Sequence, residues 1–278
     1  MDFVKEDISI NLPSKFQALE GLKILHISDF HFINRSKRFD RIFAQIQDID
    51  SDFTIISGDM IDDNRGIGAC AHYLGLLKPR YGVLAGYGNH DRHSLGLKEF
   101  LFFPFLRRLK ENNISLLRRE LENKGINVLD NVYQKFCVNG VRLDITGIEG
   151  PFGYDRLKIW RNFDKEISSL REFVSRMDKD SYKIVISHLP DIMENLKGLD
   201  MQLMLSGHTH GGQIRLPFIG PLVTISSFQR KYNRGLFKFG DTYLHVNSGL
   251  GTSGMTPFRV FCPPTASLLH FVQNKTKG

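Results

Sequence analysis

Five short clusters of acidic, amide and imidazole side chains carry the residue types that bind hard or borderline metal cations. The clusters are Asp29-Phe30-His31, Gly58-Asp59-Met60-Ile61-Asp62, Gly88-Asn89-His90-Asp91, His188, and Gly207-His208-Thr209-His210. None of them contains cysteine. Carboxylate, amide oxygen and imidazole suit Mn²⁺, Fe or Zn²⁺, whereas thiolates indicate a softer or structural site. Together the clusters predict a site for two cations.

The residue at the centre of such a site is a carboxylate that can bridge two cations about 3.5–4 Å apart. Asp59 is the natural bridge, because it lies between the other clusters in sequence order. A water held between two such cations becomes hydroxide near neutral pH, and the cations neutralise charge that builds up on a phosphoryl oxygen. The expected reaction is therefore in-line attack on phosphorus by a metal-bound hydroxide.

Short apolar runs precede the clusters and predict the strands that position them. The first four clusters follow Ile24–Ile27, Phe53–Ile56, Tyr81–Leu84 and Lys183–Ile186, and the fifth follows Leu203–Leu205. Short β-branched runs that end in Gly, Asp or Asn are typical of buried strands. Ligands just past the strand ends would meet at one edge of an open α/β sheet, where such folds place their sites.

The rest of the pattern indicates one layered α/β domain over residues 1–278, a length that can bury a sizeable core. Strands at 23–28, 53–57 and 81–86 alternate with helical stretches near 37–49 and 66–78. Asn139-Gly140 predicts a hairpin turn between strands at 132–138 and 141–147. Further elements are expected as a helix at 164–177, a strand at 182–187, and short strands at 213–216, 234–239, 242–247 and 266–272.

Composition bounds the class of protein. Cys70, Cys137 and Cys262 are odd in number and widely spaced, so we expect neither a disulfide framework nor a zinc ribbon. Residues 1–20 show no secretory signal, and no run approaches the roughly 18 apolar residues of a spanning helix. The reducing cytoplasm is the expected location, with a peripheral position on the inner face of the cytoplasmic membrane as the alternative.

The net charge of +7 and the pI near 9.3 favour an anionic partner. Residues 92–124 hold eight basic and four acidic residues, a net charge of +4 in one segment. No nucleic-acid-binding module is recognisable, and nothing indicates an obligate protein partner. The expected partners are a phosphate-ester substrate, with or without acyl chains, and an anionic membrane surface.

The series D-x-H, G-D-x-x-D, G-N-H-D, H and G-H-x-H, in this order over residues 29–210, resembles the calcineurin-like metallophosphoesterase superfamily. The flanking Gly21-Leu22-Lys23-Ile24 and His210-Gly211-Gly212-Gln213 resemble its bacterial phosphodiesterase branch. This resemblance implies a four-layer αββα sandwich of two mixed sheets flanked by helices, with a dinuclear metal site at the carboxyl edge of the strands. It also implies two divalent ions per chain, with Mn²⁺ favoured and Zn²⁺ or Fe²⁺ as alternatives.

The resemblance further implies a role for each residue of the clusters. The first metal would be bound by Asp29, His31 and His210, the second by Asn89, His188 and His208, and Asp59 would bridge them. His90 would be no ligand, but would protonate the leaving group or stabilise the transition state. Asp91 would orient an imidazole, and Asp62 would also support the ligands. Isolated histidines such as His26 and His245 are assigned no role.

Two details of the clusters argue against a Ser/Thr protein phosphatase, which the same superfamily contains. Those enzymes usually carry Arg-Gly after the second cluster, where this chain has Asp63-Asn64. Their third cluster usually ends in Glu, where this chain has Asp91. The resemblance therefore favours phosphodiester or pyrophosphate bonds over phosphoprotein substrates.

A hydrophobic and basic segment follows the third cluster and is expected to form part of a helical insertion at about 95–124. Its candidate substrate-binding or membrane-binding residues are Phe100, Phe102, Phe103, Phe105, Arg107 and Arg108. The run is apolar on every face, which is unusual for a surface helix, and rings flanked by cations are typical of membrane interfaces. A lid or membrane anchor, a core helix and a groove for a partner protein all remain open.

Three functions follow from these observations. The leading hypothesis is a hydrolase for a phosphodiester or pyrophosphate bond in a lipid-linked substrate. By resemblance, the specific candidate is a UDP-2,3-diacylglucosamine pyrophosphatase of lipid A synthesis. A general phosphodiesterase or nucleotide phosphohydrolase is the alternative. A non-catalytic scaffold is the third, although intact residues at every ligand position argue against it.

Overall fold

A computed structural model of the protein describes residues 2–94, 110–148, 167–216, 220–221, 232–252 and 258–273. Residues 95–109 of the expected insertion, including the six candidate residues between Phe100 and Arg108, lie outside the described residues. In the rest of that segment, Ile114–Glu122 is helical, whereas Lys110–Glu111 forms a short strand where a helix was predicted.

The first sheet has six strands in the order β1-β16-β2-β3-β4-β7. Their bounds are β1 Val4–Leu12, β2 Lys23–Ile27, β3 Phe53–Ile56, β4 Gly82–Ala85, β7 Ile126–Val128 and β16 Thr265–Gln273. Strands β2, β3, β4 and β7 run parallel, whereas β16 is antiparallel to β2 and parallel to β1. The sheet is therefore mixed, and its parallel part is the predicted βαβαβ unit.

The second sheet has six strands in the order β14-β15-β11-β10-β9-β8. Their bounds are β8 Val132–Val138, β9 Val141–Gly147, β10 Tyr182–Ile186, β11 Leu203–Ser206, β14 Gly235–Phe239 and β15 Thr242–Val246. The four central strands are parallel, and the edge strands β8 and β14 are antiparallel to their neighbours. Two short pairs lie apart: β5 His93–Ser94 with β6 Lys110–Glu111, and β12 Arg215–Leu216 with β13 Gly220–Pro221.

The helices are α1 Lys37–Ile46, α2 Ile67–Leu74, α3 Asn89–Arg92, α4 Ile114–Glu122, α5 over 167–175 and α6 Met193–Leu196. Short 3₁₀ turns occur at Ser14–Leu19, Asn64–Gly66, Pro190–Ile192 and His210–Gly212. Helix α1 begins where Ser36 Oγ accepts from Phe39 N, and it buries Phe39, Ile42, Phe43 and Ile46 at three- and four-residue spacing. No helix in the described ranges is long and apolar enough to cross a membrane.

Within the described ranges, three apolar cores lie between four layers. In strand β2, Ile24 faces the core between the sheets, whereas Leu25 faces the core beneath α1 and α2. A third core joins α5 and α6 to the other face of the second sheet, through residues such as Val174 and Val185. The predicted αββα sandwich is confirmed, because two mixed sheets pack face to face with helices on both outer faces.

Local chemistry explains where the sequence predicted the elements well and where it did not. The hairpin of β8 and β9 turns at Asn139 and Gly140, whose φ values of +49° and +78° suit these two residue types. Strand β1 was not predicted. It is an edge strand with mostly solvent-accessible side chains, and its partner β16 lies about 260 residues away.

Candidate metal centre

All five clusters lie at the carboxyl ends of parallel strands, and the two sheets bring them together. The loops after β2, β3 and β4 carry the first three clusters, and the loops after β10 and β11 carry His188 and the final cluster. The seven predicted ligands and His90 are buried, except for the half-buried His208. The edge predicted from the sequence is therefore the place where these side chains meet.

One group of donor atoms is formed by Asp29, His31, Asp59 and His210. His31 Nε2 lies 3.0 Å from His210 Nε2 and 3.7 Å from Asp59 Oδ2. His210 Nε2 lies 3.5 Å from Asp29 Oδ1. Two carboxylates and two imidazoles thus direct atoms into the same small volume, which is the donor set predicted for the first metal.

A second group is formed by Asp59, His188 and His208. His188 Nε2 lies 3.1 Å from Asp59 Oδ2, and His208 Nδ1 lies 3.1 Å from Asn89 Oδ1. Asp59 belongs to both groups, as a bridging carboxylate must. The donors are oxygen and nitrogen without sulfur, so the residues present fit two divalent cations.

The electrostatics of the site favour positive charge. Burial alone would lower the pKa of His31, but the carboxylates of Asp62, Asp59 and Asp29 outweigh it and raise that pKa to about 9. Burial would also lower the pKa of His188, but the carboxylates of Asp59 and Asp29 outweigh it and raise that pKa to about 9. At His208, burial lowers the pKa to about 4. The negative potential of the carboxylates, which favours protons on two imidazoles, also favours bound cations.

Backbone strain is concentrated in the predicted ligands. Five of the seven, Asp29, His31, Asp59, His208 and His210, have φ between +49° and +71°. This left-handed region is unfavourable for residues with a Cβ, and such conformations cluster at functional sites. The sharp turns let donors that follow a strand by two to four residues point back into one site.

Two glycines are required by close approach of the backbone to the carboxylates. A Cβ on Gly88 would collide with Asp59 Oδ1, and a Cβ on Gly207 would collide with Asp29 Oδ2. Neither glycine has positive φ. Glycine is therefore required at these positions because there is no room for a Cβ, and not because of an unusual backbone conformation. The glycines of the motif therefore admit the carboxylates to the centre of the site.

His90 lies beside the donor groups, and the carboxylate next to its ring is that of Asp62. His90 Nδ1 lies 3.1 Å from Asp62 Oδ1, which also lies 2.6 Å from His31 Nδ1. Asp91 instead accepts from three backbone amides, those of Met60, Ile61 and Gly88. The prediction that Asp91 orients an imidazole is wrong, because both of its oxygens accept from backbone N–H groups of the loops after β3 and β4.

Several supporting contacts were not predicted, because they come from backbone atoms or from distant parts of the chain. The carbonyl of Ser57 accepts from His188 Nδ1 at 2.7 Å, across 131 positions of the chain. Arg259, 49 residues beyond His210, donates to its carbonyl oxygen at 3.2 Å and to that of Ser248 at 2.7 Å. A sequence offers no local signal for such contacts, since the fold alone brings the partners together.

Comparisons with known proteins agree with this geometry. The family model for calcineurin-like phosphoesterases matches residues 22–212. The uncharacterized metallophosphoesterase YkoQ of Bacillus subtilis is 30% identical over 252 residues, covering 89% of this chain and 83% of its own. The phosphodiesterase YaeI of Escherichia coli is 27% identical, covering 90% of this chain and 82% of its own.

Among solved structures, the NAD nucleotidase of Haemophilus influenzae shares the fold. It aligns with a TM-score of 0.51 and 14% identity, over 82% of this chain and 45% of that one. The matched family model covers all five clusters, and the structure brings their side chains together at one edge. The chain therefore belongs to the calcineurin-like phosphoesterase family and is a metal-dependent phosphohydrolase.

Proposed function

We propose that this phosphohydrolase cleaves a phosphodiester or pyrophosphate bond, with Mn²⁺ as the favoured ion at both metal positions. The observation that carries the proposal is that Asp59 belongs to both donor groups. Bound there, two divalent cations would activate a water and neutralise charge on the phosphoryl group. A shared carboxylate between two donor sets is the arrangement that this chemistry needs.

The chain holds Asp59 in a fixed orientation. Its Oδ1 accepts from the backbone N–H of His90 at 2.9 Å. Its Oδ2 lies 3.1 Å from His188 Nε2 and 3.7 Å from His31 Nε2, one imidazole from each donor group. Because one oxygen is anchored, the other is positioned between the two sets of ligands.

We assign His90 to the leaving group. Asp62 lies at Nδ1 of the imidazole, so Nε2 is the atom that would donate a proton to the departing oxygen. Asn112 Nδ2 donates to the His90 carbonyl at 2.9 Å and fixes the backbone beneath it.

The finer part of the proposal is a lipid-linked substrate, with UDP-2,3-diacylglucosamine as the specific candidate. It is supported by the sequence of Phe100–Arg108, where rings and cations follow the third cluster directly. A general phosphodiesterase is the second candidate, and it is favoured by the similarity to the phosphodiesterase of Escherichia coli.

The test begins with protein stripped by a chelator and reloaded with Mn²⁺, Zn²⁺, Fe²⁺ or Mg²⁺. Metal content is measured by elemental analysis, and hydrolysis is measured on bis(p-nitrophenyl) phosphate, a cyclic nucleotide and UDP-2,3-diacylglucosamine. We expect two ions per chain, hydrolysis of the artificial diester, and highest activity with Mn²⁺. Preference for the acylated nucleotide would support the lipid-linked substrate, whereas preference for the cyclic nucleotide would support the general phosphodiesterase.

Asp59→Ala provides the decisive variant, and Asp48→Ala is its control, because Asp48 is an exposed carboxylate after helix α1. We expect Asp59→Ala to lose at least one ion and the hydrolysis of every substrate, and Asp48→Ala to keep both. One tight ion per chain in the parent protein, or full activity in Asp59→Ala, would contradict the shared-carboxylate mechanism.

A further inference from the structure

Three large apolar side chains lie in solvent on the segments next to the last metal cluster. Phe261 is 70% exposed, Phe258 is 55% exposed and Leu216 is 38% exposed. We call these three residues the apolar rim. Exposed aromatic rings are costly in water, so a group of them beside a site indicates a surface that contacts something apolar.

The apolar rim is attached directly to the loop that carries His210. Val260 N donates to Gln213 O at 2.9 Å, and Arg215 N donates to Val260 O at 2.9 Å. Between the two phenylalanines, Arg259 turns inward to the His210 carbonyl at 3.2 Å, and Cys262 Sγ lies 3.3 Å from the same oxygen. The residues that face inward anchor the segment to the metal centre, while both rings face solvent.

Phe261 is also held in a strained conformation, since its φ is +50°. Glycine, asparagine and aspartate are the residues usually found there, and a bulky side chain is unfavourable. Packing does not explain the choice of phenylalanine, because most of the ring is exposed. A strained and exposed aromatic residue points to a function for the ring outside the fold of this chain.

The charge of this part of the chain is complementary to an anionic surface. Residues 201–278 contain eight Lys and Arg residues and a single acidic residue, Asp241, a net charge of +7. The preceding 200 residues contain 29 basic and 29 acidic residues, so the whole net charge of the protein lies in the last 78 positions. Among the described members of this set, Lys238 is exposed and Arg234 is half-buried, whereas Arg215 and Arg259 donate to carbonyl oxygens of the protein itself.

We propose that the apolar rim docks this protein on an anionic lipid surface, with the metal centre directed toward the headgroups. The rings would enter the interface between headgroups and acyl chains while the cations meet lipid phosphates. Protruding rings suit insertion into a bilayer. Docking itself does not depend on the proposed function. Its use to the enzyme does, because docking would bring a lipid-linked phosphoester to the metals.

The first experiment measures sedimentation of the full chain with vesicles. Phosphatidylcholine vesicles that contain phosphatidylglycerol are compared with phosphatidylcholine alone, at low and high salt. We expect binding to the anionic vesicles that weakens with salt, because charge attraction is screened. The double variant F258S and F261S should bind about tenfold more weakly, since two inserted rings are removed.

The matched control is Leu76→Ser, because Leu76 has the same exposure as Leu216, at 38%. It lies on the turn between α2 and β4, at the end of the first sheet opposite to the metal centre. This variant should bind vesicles as the parent protein does. Equal weakening in the control would show a general effect of surface hydrophobicity and would overturn the assignment to the apolar rim.

Phe261→Gly separates docking from folding. Glycine tolerates φ of +50°, so this variant should melt at the same temperature as the parent protein or higher, yet bind anionic vesicles several-fold more weakly. A structural role for the ring predicts the opposite pattern, a lower melting temperature with unchanged vesicle binding. That result would overturn the proposal.

Hydrolysis of bis(p-nitrophenyl) phosphate, measured beside vesicle binding, shows whether the proposed function or the docking surface has failed. If the chain binds vesicles through the apolar rim but does not hydrolyse the diester, the proposed function fails and the docking surface stands. If it hydrolyses the diester but ignores anionic vesicles, or binds them equally after both phenylalanines are replaced, the docking surface is wrong. Binding of the rim to a protein partner in place of lipid would appear as this second result.

Discussion

His90 is expected to act in catalysis, whereas the residues around it are expected to bind metal. It belongs to neither donor group that contains Asp59, although its backbone N–H supports that carboxylate. We expect His90→Ala to retain both metals and to lose roughly 10²–10⁴-fold in kcat, the usual contribution of a general acid. Elemental analysis beside the kinetics of diester hydrolysis measures both quantities.

His208→Ala is the comparison for that experiment, because His208 joins Asp59 and His188 in the second donor group. It should lower the occupancy of the second metal as well as the rate. If His90→Ala emptied the site to the same degree, His90 would be a ligand and the assignment of roles would be wrong.

The left-handed backbone of the ligands should lower the stability of the folded protein at positions where the side chain is needed to bind metal. His208 has φ of +71°, where glycine is favoured over alanine by about 1 kcal/mol. In the presence of a chelator, His208→Gly should therefore unfold with a free energy about 1 kcal/mol higher than His208→Ala. Both variants lack the imidazole, so urea denaturation of this pair isolates the backbone strain.

The same pair of substitutions at His188 is the control, since the backbone there is not in the left-handed region. His188→Gly should be no more stable than His188→Ala. An equal advantage for glycine at both positions would show that strain at His208 is not the cause.

At the scale of elements, Asp91 connects two loops. Its carboxylate accepts from Met60 N and Ile61 N after β3, at 2.8 and 3.0 Å, and from Gly88 N after β4, at 2.8 Å. Burial, reinforced by the charge of Asp59, raises the pKa of Asp91 to about 7, so the group is ionised above neutral pH. One carboxylate thus fixes the spacing between the second and third clusters.

Replacement of this carboxylate should loosen both loops. At pH 8, Asp91→Asn should lower the free energy of unfolding by about 1.5–3 kcal/mol, because the amide NH₂ faces backbone donors where an oxygen accepted before. Metal affinity should fall as well. Asp63→Asn is the control, since Asp63 accepts from Arg65 N at the start of a 3₁₀ turn and asparagine caps equally well. Equal losses in both variants would contradict the connecting role.

At the scale of the whole molecule, two histidines join the sheets. His26 of β2 and His245 of β15 are fully buried, with their Nδ1 atoms 2.7 Å apart, and His26 Nε2 lies 2.8 Å from Ser57 Oγ. Burial lowers the pKa of His245 to about 3 and that of His26 well below its usual value. Both imidazoles are therefore neutral in the folded protein at physiological pH.

This pair predicts the direction in which stability changes with pH. The unfolded chain binds protons at these histidines near pH 6.5, whereas the folded chain does not, so their contribution is complete above pH 6.5. It should be lost as the pH falls from 6.5 toward 3, at about 1.4 kcal/mol per pH unit for each histidine. Urea denaturation at several pH values between 8 and 4.5 measures the slope.

Other groups titrate in the same range, so variants isolate the effect. His245→Gln should reduce the slope between pH 6.5 and 4.5, whatever its effect on absolute stability. His270→Gln, at a partly exposed histidine that pairs with Asp7 on the surface, should leave most of the slope intact. An unchanged slope in His245→Gln would show that the buried pair takes up protons in the folded state.

The sequence alone determined the features of this protein that depend on residues close together in the chain. The order and spacing of the clusters, the apolar runs before them and the turn at Asn139-Gly140 predicted the strands, the αββα layers and the shared edge where the ligands meet. Each of these signals lies within a few residues, because strand periodicity and turn chemistry depend on neighbours along the chain. The family resemblance added the assignment of individual ligands, which stays a prediction until metals are measured.

Only the tertiary structure decided contacts between distant segments. In the structure, Asp62 and not Asp91 lies beside the His90 ring. Arg259 lies against the His210 loop, and His26 pairs with His245 across the two sheets. Phe258 and Phe261 likewise lie next to the segment after His210 only because Val260 pairs with it. The reason is geometric: which side chains meet depends on strand order and loop direction, and these are set by packing over the whole chain rather than by adjacent residues.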